Sequence, residues 1–437
     1  MRTRICALTF FAVTLAPTAL LAQEVTRADS LEQIVRALRI RLDSLERILE
    51  QLIGEGQDTT GAADELAALR AAAQAAAQQA QANVDTSEAQ VSRTRDLSRL
   101  NPEISVTGDV IGSFTGPAAE RNRLGVTPRE FEFSFQSALD PYTRTKIFAA
   151  YEEELPIAGF PEIGHEGEEA EAGHGHGGFH VEEAYAYWVG LPGSIGLKAG
   201  KFRQEIGLYN RWHTHALWEA DRPLPTVIFL GEDGLIQPGV GLTLPSFSTG
   251  PATQTITLEA TAASNEAMFE DGGDMSFLGR IQSFWDLSPS TYVQLGTTGV
   301  YGDNEDAALQ SRLLSLDFAF RWASPNRALY QALHLKGEWY FSDKDEAGIA
   351  VTGSGGYAQA NYRLNRRLIL GARGDYLSST EDEPAIHQIV PSITWWQSEW
   401  LFLRLQYNYL KYEGESANHT VLFQLVWAMG PHKHETY

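Results

Sequence analysis

Cysteine is nearly absent from this chain of 437 residues, which contains a single one, Cys6. Arg2 and Arg4 come before a short apolar run that is followed by small residues, so we interpret residues 1–22 as a secretory signal. A mature chain that starts near Gln23 then has no cysteine. Disulfide bonds, thiolate metal sites and cysteine nucleophiles are therefore excluded from the mature protein.

Positive charge and long apolar runs are also scarce. Lys and Arg number 34 against 56 Asp and Glu, which gives a formal net charge of −22. Such an acidic chain is a poor candidate for nucleic-acid binding, because that binding depends on cationic contacts to phosphate. After the signal, no stretch approaches the roughly 20 apolar residues of a transmembrane helix. If the protein crosses a membrane, we expect it to cross as a closed β-barrel.

Common catalytic motifs are missing as well. The chain has neither a Gly-x-Ser-x-Gly elbow nor a His-Glu-x-x-His metal-hydrolase motif. We regard the pair His213 and His215 as too little for catalysis. The sequence therefore predicts a protein that is not an enzyme and that requires no cofactor.

A helical period marks the region between the signal and residue 102. Four leucines are spaced seven residues apart: Leu31, Leu38, Leu45 and Leu52. This heptad spacing predicts a coiled coil, and an Ala-rich stretch at 63–84 predicts a second helix. We expect residues 23–102 to form a periplasmic helical coiled-coil region and linker. An intrachain hairpin, an intersubunit trimer and a semi-rigid spacer remain open as arrangements.

The hydrophobic period changes to two from residue 103 onward. In one segment Leu314, Leu316 and Phe318 alternate with polar or small residues. We count sixteen candidate strands, joined alternately by short turns and by longer acidic loops, which is the pattern of outer-membrane barrels. Residues 103–437 are therefore predicted to form an all-β transmembrane antiparallel β-barrel that follows the N-terminal α-helical coiled-coil segment. With the helical region in the periplasm, both barrel ends lie on the periplasmic side.

The sequence resembles sixteen-stranded bacterial outer-membrane porins, especially the phosphate-selective O/P-type and related families. The resemblance covers roughly residues 103–437 and rests on strand count, loop alternation, the run Gly200-Lys201-Phe202 before Ile206-Gly207, and the terminal aromatic Tyr437. It departs from the usual pattern at residues 431–436, which separate Tyr437 from the last strand. The resemblance implies passive diffusion of small solutes, with a preference for anions.

Charged residues on the later strands are candidates for the pore lining. Their place in the alternation points them inward, into the lumen, where charged rings set ion preference. The predicted set is Arg321, Lys336, Glu338, Arg363, Arg373, Asp375 and Arg404. Its basic members as a group suit an anionic or hydroxylated solute. The alternative is that a water-filled lumen tolerates any polar residue at these positions.

A long loop at 207–236 follows the fifth predicted strand and is the third external loop. Its apolar run Val227-Ile228-Phe229-Leu230 would be out of place in water and suggests packing against the barrel wall. We predict that this loop folds inward and constricts the pore. The polar and aromatic residues expected at the constriction are Trp212, His213, His215, Glu219 and Asp221.

The external loop at 155–179 combines histidines, acidic residues and glycines. Its candidate ligands are His165, His174, His176 and the adjacent His180. Imidazole and carboxylate groups bind Zn²⁺ and related divalent metals. A weak Zn²⁺ site at the pore mouth is one interpretation. A solvated acidic loop with incidental histidines is the other.

The leading hypothesis is an outer-membrane porin for passive diffusion of small ions or solutes, with possible capture of zinc by the His-rich loop. The alternative is a non-conducting outer-membrane anchor or tether with a periplasmic coiled coil. An energy-coupled receptor is disfavoured, because the region before residue 103 is too low in complexity for a globular plug. The expected partners are outer-membrane lipids, two further copies in a homotrimer, and small solutes, with no nucleic acid.

Overall fold

The computed structural model describes residues 102–116, 124–153, 178–269, 273–304, 309–346, 349–379 and 384–430. The predicted signal, the predicted coiled coil and the histidines at positions 165, 174 and 176 lie outside these ranges. None of the helices in the described ranges is long and apolar enough to cross a bilayer.

Antiparallel strands make up most of the described chain. Their bounds are β1 Glu103–Thr115, β2 Leu124–Ala138, β3 Thr143–Glu152, β4 Gly178–Trp188, β5 Gly196–Arg203, β6 Ile236–Thr243, β7 Phe247–Thr249, β8 Ala252–Ala263, β9 Gly273–Ser288, β10 Thr291–Asp303, β11 Gln310–Ala323, β12 Ala332–Glu346, β13 Ile349–Arg363, β14 Leu368–Leu377, β15 Ile386–Trp396, β16 Leu401–Tyr412 and β17 Asn418–Met429. Short 3₁₀ turns occupy Pro192–Ser194 and Thr214–Ala216, and two helices follow, α1 Leu224–Leu230 and α2 Glu266–Phe269.

The strands close into a barrel of sixteen. Apart from the short β7, each strand pairs with its neighbours along the chain, and β1 pairs with β17 to complete the ring. The seventeenth strand, β7, is only three residues long. Because β6 and β7 both pair with β8, β7 extends β6 along β8 and does not count as a separate barrel strand. The sixteen-stranded antiparallel barrel predicted from the alternation and the loop pattern is confirmed.

The alternation gives the barrel an apolar outer face and a polar inner face. On β11 the outward residues Leu314, Leu316 and Phe318 are 42%, 44% and 40% exposed. The inward residues Ser315 and Asp317 are buried instead. A barrel whose apolar side chains point outward and whose polar side chains point inward has the pattern of a membrane barrel, opposite to that of a soluble protein.

Two β-bulges interrupt the alternation on β2 and β4. In β2 a shift of register against β1 leaves Arg129 and Glu130 both buried on the inner side. In β4 a shift against β3 does the same for Glu182 and Glu183. A bulge inserts one extra residue and redirects the side chains around it. Each bulge therefore turns two consecutive charged residues into the lumen.

The segment between β5 and β6, residues 204–235, lies inside the barrel. We call it the lumen loop. Its backbone nitrogens donate hydrogen bonds to side chains on strands from different parts of the ring. Leu208 donates to Glu338 on β12, and Ala220 donates to Gln406 on β16. Contacts of this kind require the lumen loop to cross the interior rather than project into solvent.

Helix α1 fixes the second half of the lumen loop. Phe229 and Leu230 are buried in a cluster with Val300, Leu313 and Tyr340, whose side chains face inward from β10, β11 and β12. Burying apolar side chains of this size against the wall stabilises the loop by about 1.5–3 kcal/mol for each one. The apolar half of the loop is thus packed on one wall, and its polar first half is directed to the rest of the lumen.

Two glycines, one within β5 and one just after it, adopt backbone conformations that disfavour other residues. Gly207 has a φ of +57°, and a side chain there would collide with the carboxylate of Glu338. Gly200 has a φ of +136°, and a side chain there would collide with the backbone of Ala184. Glycine adopts these conformations without a steric penalty. The backbone conformation and the close neighbours therefore both favour glycine at positions 200 and 207.

Candidate functional site in the barrel lumen

A single carboxylate on β12 anchors the start of the lumen loop. Glu338 Oε1 accepts hydrogen bonds from the backbone nitrogens of Leu208 at 2.5 Å and Tyr209 at 2.8 Å. The hydroxyl of Tyr357 donates to the same oxygen at 2.7 Å, and the hydroxyl of Tyr340 donates to Oε2. Hydrogen bonds to a charged acceptor are the stronger kind. Four donors on one buried carboxylate therefore hold the loop firmly at this point.

An ion-pair network on β14 and β16 anchors the middle of the loop. Arg373 Nη2 lies 3.1 Å from Asp221 Oδ1, and Arg373 Nε lies 2.9 Å from Asp375 Oδ1. Asp221 also accepts hydrogen bonds from the side-chain amides of Gln406 and Asn408, both at 2.7 Å. These groups are buried, and each carboxylate here faces a guanidinium. Charge and hydrogen bonding are matched on this side of the lumen.

Arg404 holds the loop tip in a different way. Its guanidinium donates to the carbonyl oxygen of Leu217 at 2.8 Å, to Gln424 Oε1 at 2.6 Å and to Thr394 Oγ1 at 3.0 Å. All these acceptors are neutral. In the described part of the chain, no carboxylate forms an ion pair with Arg404, so its positive charge has no direct carboxylate partner there.

Aromatic side chains from the loop surround Lys336 on β12. Its Nζ lies 5.8 Å from the ring centre of Tyr209, 4.9 Å from that of Trp212 and 5.8 Å from that of Trp218. A cation near several aromatic faces is stabilised without a carboxylate partner. Trp212 also packs on Tyr209 and Tyr357. This part of the lumen is basic and aromatic.

The seven residues predicted for the pore lining all lie on the inward side of their strands. Arg321 is exposed, and Lys336 and Arg363 are partly buried. The other four, in contrast, are buried against the loop and hold it, because their hydrogen-bonding groups match its backbone and side chains. They are Glu338, Arg373, Asp375 and Arg404.

The five residues predicted for the constriction lie in the part of the lumen loop that precedes α1. His213, His215, Glu219 and Asp221 are buried, and Trp212 is partly buried. Glu219 accepts hydrogen bonds from Tyr209 and from Asn361 at 3.4 Å.

The two histidines of the loop face a wall of carboxylates on β2 and β4. His213 Nδ1 lies 2.7 Å from Glu132 Oε2 and 2.6 Å from Glu182 Oε2. His213 Nε2 lies 3.0 Å from Glu183 Oε1. His215 Nδ1 lies 2.6 Å from Glu130 Oε1, and the His215 backbone nitrogen donates to the same carboxylate. We call Glu130, Glu132, Glu182 and Glu183 the acidic wall.

The acidic wall changes the acidity of both histidines. Burial alone would lower the pKa of His215, but the neighbouring charges of Glu130 and Glu132 outweigh burial and raise it above its ordinary value. The pKa of His213 is raised further, again against the effect of burial, by Glu132 and Glu182. The wall is therefore a strong local source of negative potential.

Two cavities adjoin the loop. One, of about 550 Å³, is lined by Trp212, Trp218, Trp396 and Phe402 together with the basic groups of Arg363 and Arg404. It reaches Glu399 and Trp400 in a short turn, so it lies toward the barrel end that carries the short turns. The other, of about 230 Å³, is lined by His213, Glu183, Arg203 and Lys198 among others.

His180 is the one described member of the histidine set predicted for zinc. Its Nε2 lies 3.5 Å from Glu152 Oε2, at the top of β3 and β4. The sequence gives no reason to connect His180 with the acidic wall, yet Glu152, Glu182 and His180 have ligand atoms within 4.8 Å of one another. Zinc capture by the remaining histidines of the external loop stays a prediction.

The acidic wall is absent from the pore lining predicted from the sequence, which used the later strands only. Strict alternation turns only one residue of each adjacent pair inward, and the bulges turn in both. A pair of adjacent charged residues within an alternating strand, as at Arg129-Glu130 and Glu182-Glu183, is the signal that points to such a bulge.

Comparisons with known proteins place the fold among bacterial porins. No protein-family model matches the chain. An uncharacterized protein of Aquifex aeolicus is 52% identical over 64 residues, which is 14% of this chain and 13% of that protein. An anion-selective porin from Comamonas acidovorans has a TM-score of 0.51 and 10% identity, covering 75% of this chain and 99% of that one. Pseudomonas putida OprB has a TM-score of 0.52 and 10% identity, covering 77% and 96%. The chain shares the closed sixteen-stranded barrel of these porins.

Proposed function

We propose that the protein is an outer-membrane porin, a channel for passive diffusion of small solutes that the lumen loop narrows. The observation that carries this proposal is the position of residues 204–235 inside a closed sixteen-stranded barrel. A segment that crosses the interior and is held on several sides sets the cross-section available to a solute. Water-filled lumens with such constrictions select solutes by size and by the charges at the narrowest point.

The outer surface supports a membrane location. Large apolar side chains are exposed on many of the strands, including Ile147, Leu258, Ile281, Leu295, Ile389, Leu405 and Phe423. A continuous exposed apolar surface of this extent would drive a soluble protein to aggregate. In a bilayer the same surface is solvated by lipid chains, while pairing between neighbouring strands satisfies backbone hydrogen-bonding groups around the ring.

The solute class that the lumen supports best is a small anion, including one with an apolar or hydroxylated body. Lys336 and Arg404 have no carboxylate partner in the described part of the chain, and Lys336 sits among aromatic rings. Arg363 and Arg404 both line the larger cavity, together with four tryptophans, Phe402 and the single carboxylate of Glu399. Cations without a direct carboxylate partner attract anions, and the aromatic faces bind apolar parts of a solute. The acidic wall opposes this preference on the other side of the lumen.

Planar-bilayer recording of the full-length protein tests the proposal. We expect discrete conductance steps and, in a salt gradient, a reversal potential that indicates anion preference. Replacing residues 209–233 by a short Gly-Ser linker should raise the single-channel conductance. The matched control shortens the exposed loop at 413–417, which should leave conductance unchanged. The absence of steps from both the intact and the loop-shortened protein would instead support the tether hypothesis.

The homotrimer expected from the sequence is part of the proposal. Mass measurement of the detergent-solubilised full-length protein tests it separately from conductance. A monomer that still conducts would remove the trimer and leave the channel in place.

A further inference from the structure

Three ligand groups converge where the lumen loop meets the acidic wall. Glu132, Glu182 and His213 each offer one donor atom, and these atoms lie within 4.8 Å of one another. The two carboxylates are 1% exposed and the histidine is 4% exposed. They come from three separate segments, β2, β4 and the lumen loop. The fold therefore assembles this cluster from distant parts of the sequence.

The hydrogen bonds of the cluster are incomplete. His213 Nδ1 carries at most one hydrogen, yet it lies within 2.7 Å of oxygens from both Glu132 and Glu182. Its hydrogen-bond geometry favours Glu182. Both oxygens of Glu132 and Oε1 of Glu182 are buried and have no hydrogen-bond partner among the described residues. Buried oxygens without donors are costly, and a cation placed between them would supply the missing partner.

The far side of the imidazole is already held. Glu183 Oε1 lies 3.0 Å from His213 Nε2, and Glu183 Oε2 accepts the backbone N–H of Arg203 at 3.0 Å. A carboxylate that binds one ring nitrogen and directs the other toward a metal is the usual outer partner of a histidine ligand. Glu183 thus fixes the ring so that Nδ1 faces Glu132 and Glu182.

The charge balance also leaves room for a cation. The acidic wall carries four carboxylates, and apart from the two histidines its ion pairs in the described ranges are with Arg203 alone. Arg203 offsets one of the four negative charges and protonated His215 offsets a second, so two remain when His213 is neutral, as a metal ligand must be. Buried carboxylates need compensation by a paired charge or a metal ion. A divalent ion would balance these two charges.

We propose that Glu132, Glu182 and His213 bind one divalent transition-metal ion inside the barrel. One imidazole and two carboxylates suit Zn²⁺ and its first-row neighbours, whereas Ca²⁺ and Mg²⁺ prefer oxygen ligands alone. Water would be the fourth ligand of a four-coordinate ion held by these three side chains. This site is distinct from the zinc capture predicted for the external histidines. It also adds to the channel proposal without depending on it.

Zinc titration by calorimetry tests the site on the full-length protein folded in detergent. The parent for the test carries His165→Ala, His174→Ala and His176→Ala, because those histidines would add a background of weak binding. We expect this parent to bind one Zn²⁺ per chain. Glu132→Gln, Glu182→Gln and His213→Ala should each weaken binding at least about tenfold, since each removes a ligand.

Matched controls separate ligand loss from general effects. Glu259→Gln removes another buried inward carboxylate, which pairs with Lys198, and His387→Ala removes an exposed histidine on β15. Both should bind Zn²⁺ as the parent does. Equal binding by the parent and His213→Ala would overturn the proposal, as would a parent that binds no Zn²⁺.

A second measurement needs no substitution in the cluster. Co²⁺ added to the parent should give the intense visible absorption of a four-coordinate site, and Zn²⁺ should displace it. The weak spectrum of hydrated Co²⁺ would overturn the proposal even if the cluster variants failed to fold. The conductance of the same protein in chelator tests the channel independently.

Discussion

The two sides of the lumen hold the same loop in opposite ways. Where the loop meets β12 to β16, the buried carboxylates are met by donors: Glu338 by four, and Asp375 and the loop's own Asp221 by Arg373. On β2 and β4 carboxylates outnumber cations, and oxygens of Glu132 and Glu182 lack donors among the described residues. The first side holds the loop in place. The second side presents carboxylate oxygens that could bind a cation.

This difference explains why burial alone does not identify a functional group in the lumen. Glu338 and Glu132 are equally inaccessible, at 2% and 1% exposure. Glu338 is fully used in holding the chain, whereas Glu132 has the ion pair with His213 and accepts no hydrogen bond among the described residues. A buried polar group that has all its hydrogen-bond partners is explained by its structural role. A buried polar group without a hydrogen-bond partner needs another explanation, such as a bound ion.

The largest effect is expected from Arg373→Ala, which leaves Asp221 and Asp375 buried without their cation. Breaking a buried ion pair on one side costs about 3–5 kcal/mol. The free energy of unfolding, measured by urea titration with tryptophan fluorescence, should fall by that amount. The triple variant Arg373→Met, Asp221→Asn, Asp375→Asn should recover much of the loss. A single variant as stable as the parent would contradict the anchor.

A smaller loss is expected from Glu338→Gln, which keeps the shape of the side chain and removes its charge. Hydrogen bonds to a charged group contribute about 1.5–3 kcal/mol, and the amide cannot accept from all four donors. The start of the loop should loosen, seen as faster protease cleavage within 204–235. Glu415→Gln in an exposed loop is the control and should change neither stability nor cleavage.

The same substitution on the other side should cost less. In chelator, Glu132→Gln removes the ion pair with His213 but leaves Glu182 and Glu183 beside the imidazole, so the free energy of unfolding should fall by no more than about 1 kcal/mol. Urea titration of Glu132→Gln beside Glu338→Gln gives the comparison in one experiment. An equal loss of stability for both variants would mean that the two sides hold the loop alike.

The smallest structural effect is expected from Lys336→Gln. Lys336 has aromatic neighbours and no ion pair in the described ranges, so its replacement should leave stability within about 0.5 kcal/mol. It should nevertheless shift the reversal potential in a salt gradient toward cations. An unchanged reversal potential would show that Lys336 does not contribute to ion preference.

Most of the barrel was predictable from the sequence, because alternation and turn residues are local signals. The alternation of Leu314, Leu316 and Phe318, for example, predicts the strand that the structure has as β11. The fifth strand was predicted to run to residue 206 and ends at Arg203. The chain turns inward after Arg203. The turn depends on Glu338, which is far away in sequence and accepts hydrogen bonds from the backbone nitrogens that follow Gly207.

The lumen was less predictable, since its contacts join residues that are distant in sequence. The inward side of Arg373 and Arg404 follows from strand alternation, but their hold on loop residues about 150 to 190 positions away does not. The acidic wall depends on two bulges, which interrupt the very alternation used to assign inward residues. Its relation to His213 depends further on how the loop folds.

Thiol modification during single-channel recording tests the central claim most directly, that the lumen loop borders the conducting path. The single cysteine of the chain is Cys6, in the predicted signal, so an engineered cysteine would be unique in the mature protein. Ala216 lines the larger cavity at the loop tip, and Leu314 faces outward on β11. A charged methanethiosulfonate reagent should reduce the current of Ala216→Cys in one step and leave Leu314→Cys unchanged. A modified Ala216→Cys channel with unaltered current would contradict the account.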